Sequence, residues 1–261
     1  MRRTPIDRGI IIPDQHFPLH DEAALKCTLK AIDILRPNFC VNIGDIGEFE
    51  SVSHWQWKKK KRPPLEYQLP RVDAELIEIN KGLDRIDEAL DKVKCKEKHL
   101  TVGNHDNWID CFVEENPYLT QYSLQNALRL KQRGYKVHPF GKYYKRGHLH
   151  FYHGHHYGGI NHARSHLLAT GANLIYAHWH DIQVYSIKHV DGRKAAWAIG
   201  CIKRLDDEAN EWNMRRKHNW GHALTFVDYF PNGDFVVSCT EIVNGKTILW
   251  NKIIDGTKKK R

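Results

Sequence analysis

The chain has 261 residues, 41% hydrophobic and 27% charged, enough apolar content to bury a core, which excludes disordered and fibrous classes. No run approaches the ~18 uninterrupted apolar residues of a membrane span, and Ile10 to Ile12 is too short for a signal-peptide core, so a cytoplasmic protein without membrane contact is expected. The net charge of +9 equals the nine basic residues of two tracts, Lys58 to Arg62 and Lys258 to Arg261, so the basicity is local rather than spread over the surface.

Through the first two-thirds, short β-branched runs alternate with amphipathic segments, the pattern of βαβ units and a largely parallel sheet. Gly9 to Ile12 reads as the first strand. Asp21 to Arg36 reads as a helix, with Ala24, Leu25, Ala31, Ile32 and Leu35 for burial and Pro37 just past its end. Phe39 to Ile43 is the second strand, and a polar loop from Ser51 to Pro64 leads into a long helix from about Glu66 to Lys96. There Leu69, Val72, Leu76, Ile79, Leu83, Ile86, Leu90 and Val93 recur at steps of three and four. Such a stripe fits a helix lying on a sheet, the commoner use, or a homodimer through residues 66–96. His99 to Val102 is the third strand, Leu149 to Tyr152 the fourth, and Leu174 to Tyr176 the fifth, after a helix that ends near Gly171. Beyond it, Ile182 to Val190 and Lys194 to Ile199 read as a hairpin. Ala223 to Phe230, Phe235 to Val243 and Thr247 to Ile254 read as an antiparallel meander. No repeat or linker divides the chain. The expectation is a single α/β domain over residues 1–261 with an antiparallel carboxyl third, a basic loop at 51–64 and a basic tail at 258–261.

Each of the five strands is followed at once by metal-competent residues. These are Asp14-Gln15-His16, Gly44-Asp45, Gly103-Asn104-His105-Asp106, His153-Gly154-His155 and Ala177-His178-Trp179-His180. In an α/β sheet the carboxyl ends of parallel strands share one rim, where ligands bind, so these residues are expected to converge. The donors are imidazole and oxygen, and the six cysteines form no Cys-x-x-Cys pair, which suits Mn²⁺, Fe, Zn²⁺ or Ni²⁺ better than Ca²⁺ or a thiolate zinc site. So many ligands exceed the needs of one ion. Two ions sharing a carboxylate would use them, an arrangement common for displacement at phosphorus. The remaining histidines, His99, His138, His162 and His166 among them, read as hydrogen-bonded structural residues.

Asp-x-His, Gly-Asp, Gly-Asn-His-Asp, His-Gly-His and His-x-His, in this order, resemble the motifs of the calcineurin-like metallophosphoesterases from Ile10 to about His180. The long helix before Gly-Asn-His-Asp and the pair Trp220-Gly221 also resemble small phosphoesterases of bacteria and phages. The resemblance implies a two-sheet β-sandwich flanked by helices and two divalent ions, Mn²⁺ foremost. It further implies that Asp14, His16 and His180 hold the first ion and Asn104, His153 and His178 the second, with Asp45 bridging. By the same resemblance His105 acts on the phosphoryl group or the leaving oxygen without binding metal, Asp106 orients it, and a hydroxide shared by the ions is the nucleophile. Ala177 departs from the family's glycine, and His155 is the alternative to His153.

In the loop after Asp45, Trp55 and Trp57 stand beside Lys58, Lys59, Lys60, Lys61 and Arg62. Together they could stack bases and track a phosphate backbone; the alternative is a solvated surface loop. Trp108 and Trp179 either wall the pocket or belong to the core. The leading expectation is a phosphodiesterase or nuclease acting on nucleic acid or nucleotides. The alternatives are a nucleotide or small-molecule phosphomonoesterase and a non-catalytic nucleic-acid-binding protein on the same scaffold. Ile46-Gly47-Glu48-Phe49 lacks the Asp-Arg-Gly of the serine/threonine protein phosphatases, which disfavours that branch.

Overall fold

In the computed structural model, which describes residues 6–53, 55, 61–211 and 218–258, the apolar run at Ile10 is the buried half of β1 (Asp7–Ile12). Asp21 caps α1 (Glu22–Leu35), its carboxylate accepting the Ala24 amide at 2.7 Å, and Arg36 in a left-handed conformation ends the helix ahead of Pro37. The chain continues through β2 (Phe39–Asn42), α2 (Leu65–Lys92), β3 (Glu97–Thr101) and α3 (Asn104–Glu115). The single turn α4 (Leu124–Ala127), β4 (Tyr135–His138), β5 (Tyr144–Arg146), β6 (Leu149–Phe151), α5 (His162–Thr170) and β7 (Asn173–Tyr176) follow. The remaining strands are β8 (Ile182–His189), β9 (Gly192–Ile199), β10 (Ala223–Tyr229), β11 (Phe235–Glu241), β12 (Lys246–Leu249) and β13 (Lys252–Asp255).

The strands form two mixed sheets, in the orders β11-β10-β1-β2-β3-β4 and β5-β6-β7-β9-β8. The first is parallel from β1 to β4 and antiparallel at β10 and β11; the second is parallel across β6, β7 and β9. Alternation along β1 decides how the layers stack. Ile11, with Phe39, Val41 and Ile43, packs against Leu149, Phe151, Ile175 and Ile199 of the other sheet. Ile10 and Ile12 point the opposite way, into the core under α1 and α2. On the far side α5 places Ala163 and Leu167 on Leu174, Ala196 and Ala198. The result is a two-sheet sandwich flanked by helices.

The stripe of α2 lies in the chain's own core, with Val72, Leu76, Ile79, Leu83, Ile86 and Leu90 buried, the commoner of the two uses expected of it. Three expectations change. The hairpin over Ile182 to Ile199 is present as β8–β9 at the edge of the second sheet, whereas the meander is not continuous, since only β10 and β11 join the first sheet. Thr247 to Ile254 is not one strand either, because Trp250 and Asn251, at φ 47° and 63°, turn it into the separate hairpin β12–β13. Finally, α3, β4 and β5 were not anticipated, so the strands that carry ligands are not consecutive.

Candidate metal centre

The five motifs follow β1, β2 and β3 of one sheet and β6 and β7 of the other, and the structure brings them to one place. His180 Nε2 lies 3.1 Å from Asp14 Oδ2 and 3.1 Å from His16 Nε2. His153 Nε2 lies 2.9 Å from Asn104 Oδ1, 3.1 Å from His178 Nδ1 and 3.2 Å from Asp45 Oδ2. Asp45 Oδ2 is also 3.7 Å from His16 Nε2, so this carboxylate stands between the two groups. In each of the trios Asp14–His16–His180 and Asp45–His153–His178, one ligand atom per residue falls within 4.8 Å of the others. His16, Asp45 and His105 form a third such trio, so His105 also comes within ligand reach.

Backbone constraint explains why these residue types recur at strand ends. His16, Asp45, His178 and His180 all have left-handed backbones, with φ of 51°, 46°, 67° and 60°. Such strain costs about 1–3 kcal/mol per residue and is typical of functional sites. Gly103 has no room for a side chain, since a Cβ there would meet Asp45 Oδ1 at 2.1 Å and the Asp45 amide nitrogen at 2.4 Å. Gly44, at φ 97°, is equally tight against the Gly103 backbone. The two glycines let the loops after β2 and β3 touch, which places Asp45 Oδ1 at 2.8 Å from the His105 amide that donates to it.

The charges are arranged for a cation. Burial works against charge on His153 and Asp45, yet their attraction outweighs it. His153 is raised to about 9 by Asp45 and Asp14, while Asp45 is held well below the usual carboxylate range by His153 and His105. Burial, and then the positive charge of Lys203, lowers His16 to about 4; burial and His153 push His178 well down, leaving two neutral imidazoles fit to ligate. Asp14 Oδ1 and His180 Nδ1 are buried without a hydrogen-bond partner. Nitrogens 3.1 Å apart match the edge of a coordination polyhedron built on metal–nitrogen bonds of about 2.0–2.1 Å. The residues present therefore fit divalent metal.

Ring orientation is set from behind. His153 Nδ1 donates to the Ile43 carbonyl at 3.0 Å, which directs Nε2 into the centre. His105 Nδ1 donates to the Glu48 carbonyl at 2.6 Å. Asp106, expected to orient His105, instead accepts the amides of Ile46 and Gly103 at 2.9 and 3.0 Å and so holds the first turn of α3. Burial and then Asp45 raise Asp106 to about 7.

Two residues of the site were missed by sequence reasoning. Glu48 Oε2 is 2.8 Å from His16 Nδ1 and accepts a bond of 2.8 Å from Nζ of Lys203, a lysine only 2% exposed. Of the alternatives considered, His155 lies outside the three trios: it stacks on Phe140 with its ring centre 6.2 Å from that of His153. Ala177 is buried in the inter-sheet core beside Ile175, where its methyl group is accommodated. Trp108 packs against His105, with ring centres 3.9 Å apart. Trp57, Lys58, Lys59 and Lys60 lie outside the described residues, as do residues 259–261 of the basic tail. Of the rest of the loop, Trp55 and Lys61 are exposed and Arg62 pairs with Glu115. No helix among the described residues is long and apolar enough to cross a membrane.

No protein-family model matches the chain. It is 24% identical over 245 residues to the Gene 54 protein of Mycobacterium phage L5, a match that covers 85% of this chain and 89% of that protein. Among solved structures it is similar to Vps29 from Entamoeba histolytica, with TM-score 0.47, 12% identity and coverage of 95% of this chain and 98% of that one. It is also similar to a dimetal phosphatase from Danio rerio, with TM-score 0.44, 10% identity and coverage of 90% and 96%.

Proposed function

We propose that the chain is a metal-dependent phosphoesterase of the calcineurin-like kind, a phosphodiesterase acting on nucleic acid or nucleotides with two divalent ions, Mn²⁺ foremost. The observation that carries this reading is the position of Asp45, whose one carboxylate lies 3.2 Å from His153 and 3.7 Å from His16, between two sets of mixed nitrogen and oxygen donors. Asp14, His16 and His180 would hold one ion and Asn104, His153 and His178 the other, with Asp45 shared. When bound, such ions supply Lewis acidity and lower the pKa of water.

The chain's own residues do the rest. Glu48 Oε2 stands 2.8 Å from His16 Nδ1, on the side of the ring away from Nε2, the atom that faces His180. Burial works against charge on Glu48, but its contact with His16, and then His105 and Lys203, hold its carboxyl well below the usual carboxylate range. The Glu48 carbonyl fixes the His105 proton on Nδ1 and leaves Nε2 to exchange a proton with the leaving oxygen of the ester.

The test is a rate comparison on chelator-treated protein resupplied with Mn²⁺, using a bis-aryl phosphate diester, the matching monoester and a labelled single-stranded oligonucleotide. Metal-dependent turnover of diester and oligonucleotide above monoester is the expected result. Preference for the monoester would overturn the substrate class, and no turnover with Mn²⁺, Fe²⁺, Zn²⁺ or Ni²⁺ would overturn the enzyme reading.

A further inference from the structure

A cleft of about 370 Å³ opens beside the candidate metal centre, and one helix face forms its floor. Asn104, Trp108, Cys111 and Glu115 line it at steps of four, three and four along α3, so they lie on one side of that helix. At ~1.5 Å per residue the row runs roughly 16 Å outward from Asn104, a candidate ligand, to the end of α3. Val52, Trp55, Arg62, His155 and His178 complete its lining.

The chemistry changes along the row. The inner end is the metal centre itself. The middle of the row is aromatic, at Trp108, and Trp55 also lines the cleft. The outer end holds an ion pair, the Arg62 guanidinium bonded to the Glu115 carboxylate. A second phosphate would call for uncompensated cations there, and Arg62 is compensated. A guanidinium with several N–H donors next to a carboxylate suits a neutral planar group with its own donors and acceptors, which is the edge of a nucleobase. Stacking on aromatic rings with hydrogen bonds to the base edge is the general way that proteins hold an unpaired base.

Resting on the phosphoesterase reading of the metal centre, we propose that the α3 cleft holds the nucleoside part of a phosphoester substrate, its base against Trp108 and its edge at Arg62 and Glu115. This gives the nucleic-acid or nucleotide substrate proposed above a binding place for its base, separate from the metal centre that takes its phosphate.

Cys111, midway along the row, reports occupancy without any turnover. Iodoacetamide labelling of the unmodified protein, read at Cys111 by peptide mass spectrometry, is compared with inorganic phosphate, ribose 5-phosphate and a nucleoside 5′-monophosphate at saturation. The nucleotide should slow labelling about tenfold, as a pocket that covers most of its ligand would, with little effect of the other two. Equal protection by ribose 5-phosphate, or none by the nucleotide, would overturn the proposal. A second arm fills the cleft with Cys111→Phe and compares kcat/KM for a nitrophenyl ester of thymidine phosphate with that for bis(nitrophenyl) phosphate. The ratio should fall about tenfold, the scale of a lost base stack; an equal fall for both esters would count against the cleft. Protection without turnover of any ester would support the cleft and overturn the enzyme reading. Turnover without protection would overturn the cleft alone.

Discussion

Gly103 and Asp45 meet at van der Waals limits, and the consequences are steric rather than conformational. Gly103 has φ −85°, an ordinary value for any residue, so Gly103→Ala carries no backbone strain. Its added Cβ, however, would lie 2.1 Å from Asp45 Oδ1 and must drive the loops after β2 and β3 apart. Gly103→Ala is therefore expected to cost about 1–3 kcal/mol of stability and to weaken metal retention, measured by denaturant unfolding and metal content. An unaltered unfolding midpoint would mean that the two loops are not held in contact. At this scale the sequence was informative wherever a residue sat in a short motif after a strand, as Asp14, Asp45 and His153 do. It was silent on Glu48 and Lys203, because an ion pair between residues 155 apart leaves no local pattern. It misled on Asp106, since a carboxylate two positions from Asn104 serves a helix start as readily as a catalytic histidine.

The two helices that cover the first sheet are joined by Glu22 of α1 and Arg85 of α2, whose guanidinium gives bonds of 2.8 and 2.9 Å to the two carboxylate oxygens. Burial opposes charge on Glu22, but the bonds from Arg85 and Lys26 outweigh it and hold its carboxyl at about 2. A depressed carboxylate stabilises the fold above its unfolded value near 4.5, and that contribution is lost as pH falls from there toward 2. The pair is half exposed, so its worth is at most ~1 kcal/mol. Glu22→Gln should thus lower stability at pH 6, and the gap to the unaltered protein should narrow below pH 4.5 and nearly close at pH 2 in urea unfolding. A gap that is undiminished at pH 2 would rule out the ion pair as its source. Helix α1 was legible from its cap and apolar steps and α2 from its apolar steps; α3 was hidden because only Asp106, Ile109 and Phe112 on its inner face are buried. β4 and β5 are short strands at sheet edges, below the length at which alternation can be read. The hairpin β12–β13 lacks glycine or proline at its turn, where Trp250 and Asn251 take the left-handed backbone instead.

Across the whole molecule, both groups of candidate ligands draw on both sheets. Asp14 and His16 follow β1 of the first sheet, and His180 joins them from the end of β7 in the second. Asp45 and Asn104 follow β2 and β3, and His153 and His178 reach them from β6 and β7. Each ion would therefore fasten one sheet to the other. The residues alone indicated parallel strands followed by antiparallel ones. They did not show which sheet β8 to β11 would join, because alternation reveals a strand's faces and not its neighbours. The paired-sheet arrangement rests on the inward residues such as Ile11, Val41 and Ile175, which become recognisable as one core only when both sheets are seen. The most direct measurement is the number of Mn²⁺ ions retained per chain after equilibrium dialysis, for the unaltered protein and for Asp45→Asn. Two ions per chain, falling to one or none when the shared carboxylate is neutralised, is the predicted result; saturation at one ion or none in the unaltered protein would contradict a two-metal centre.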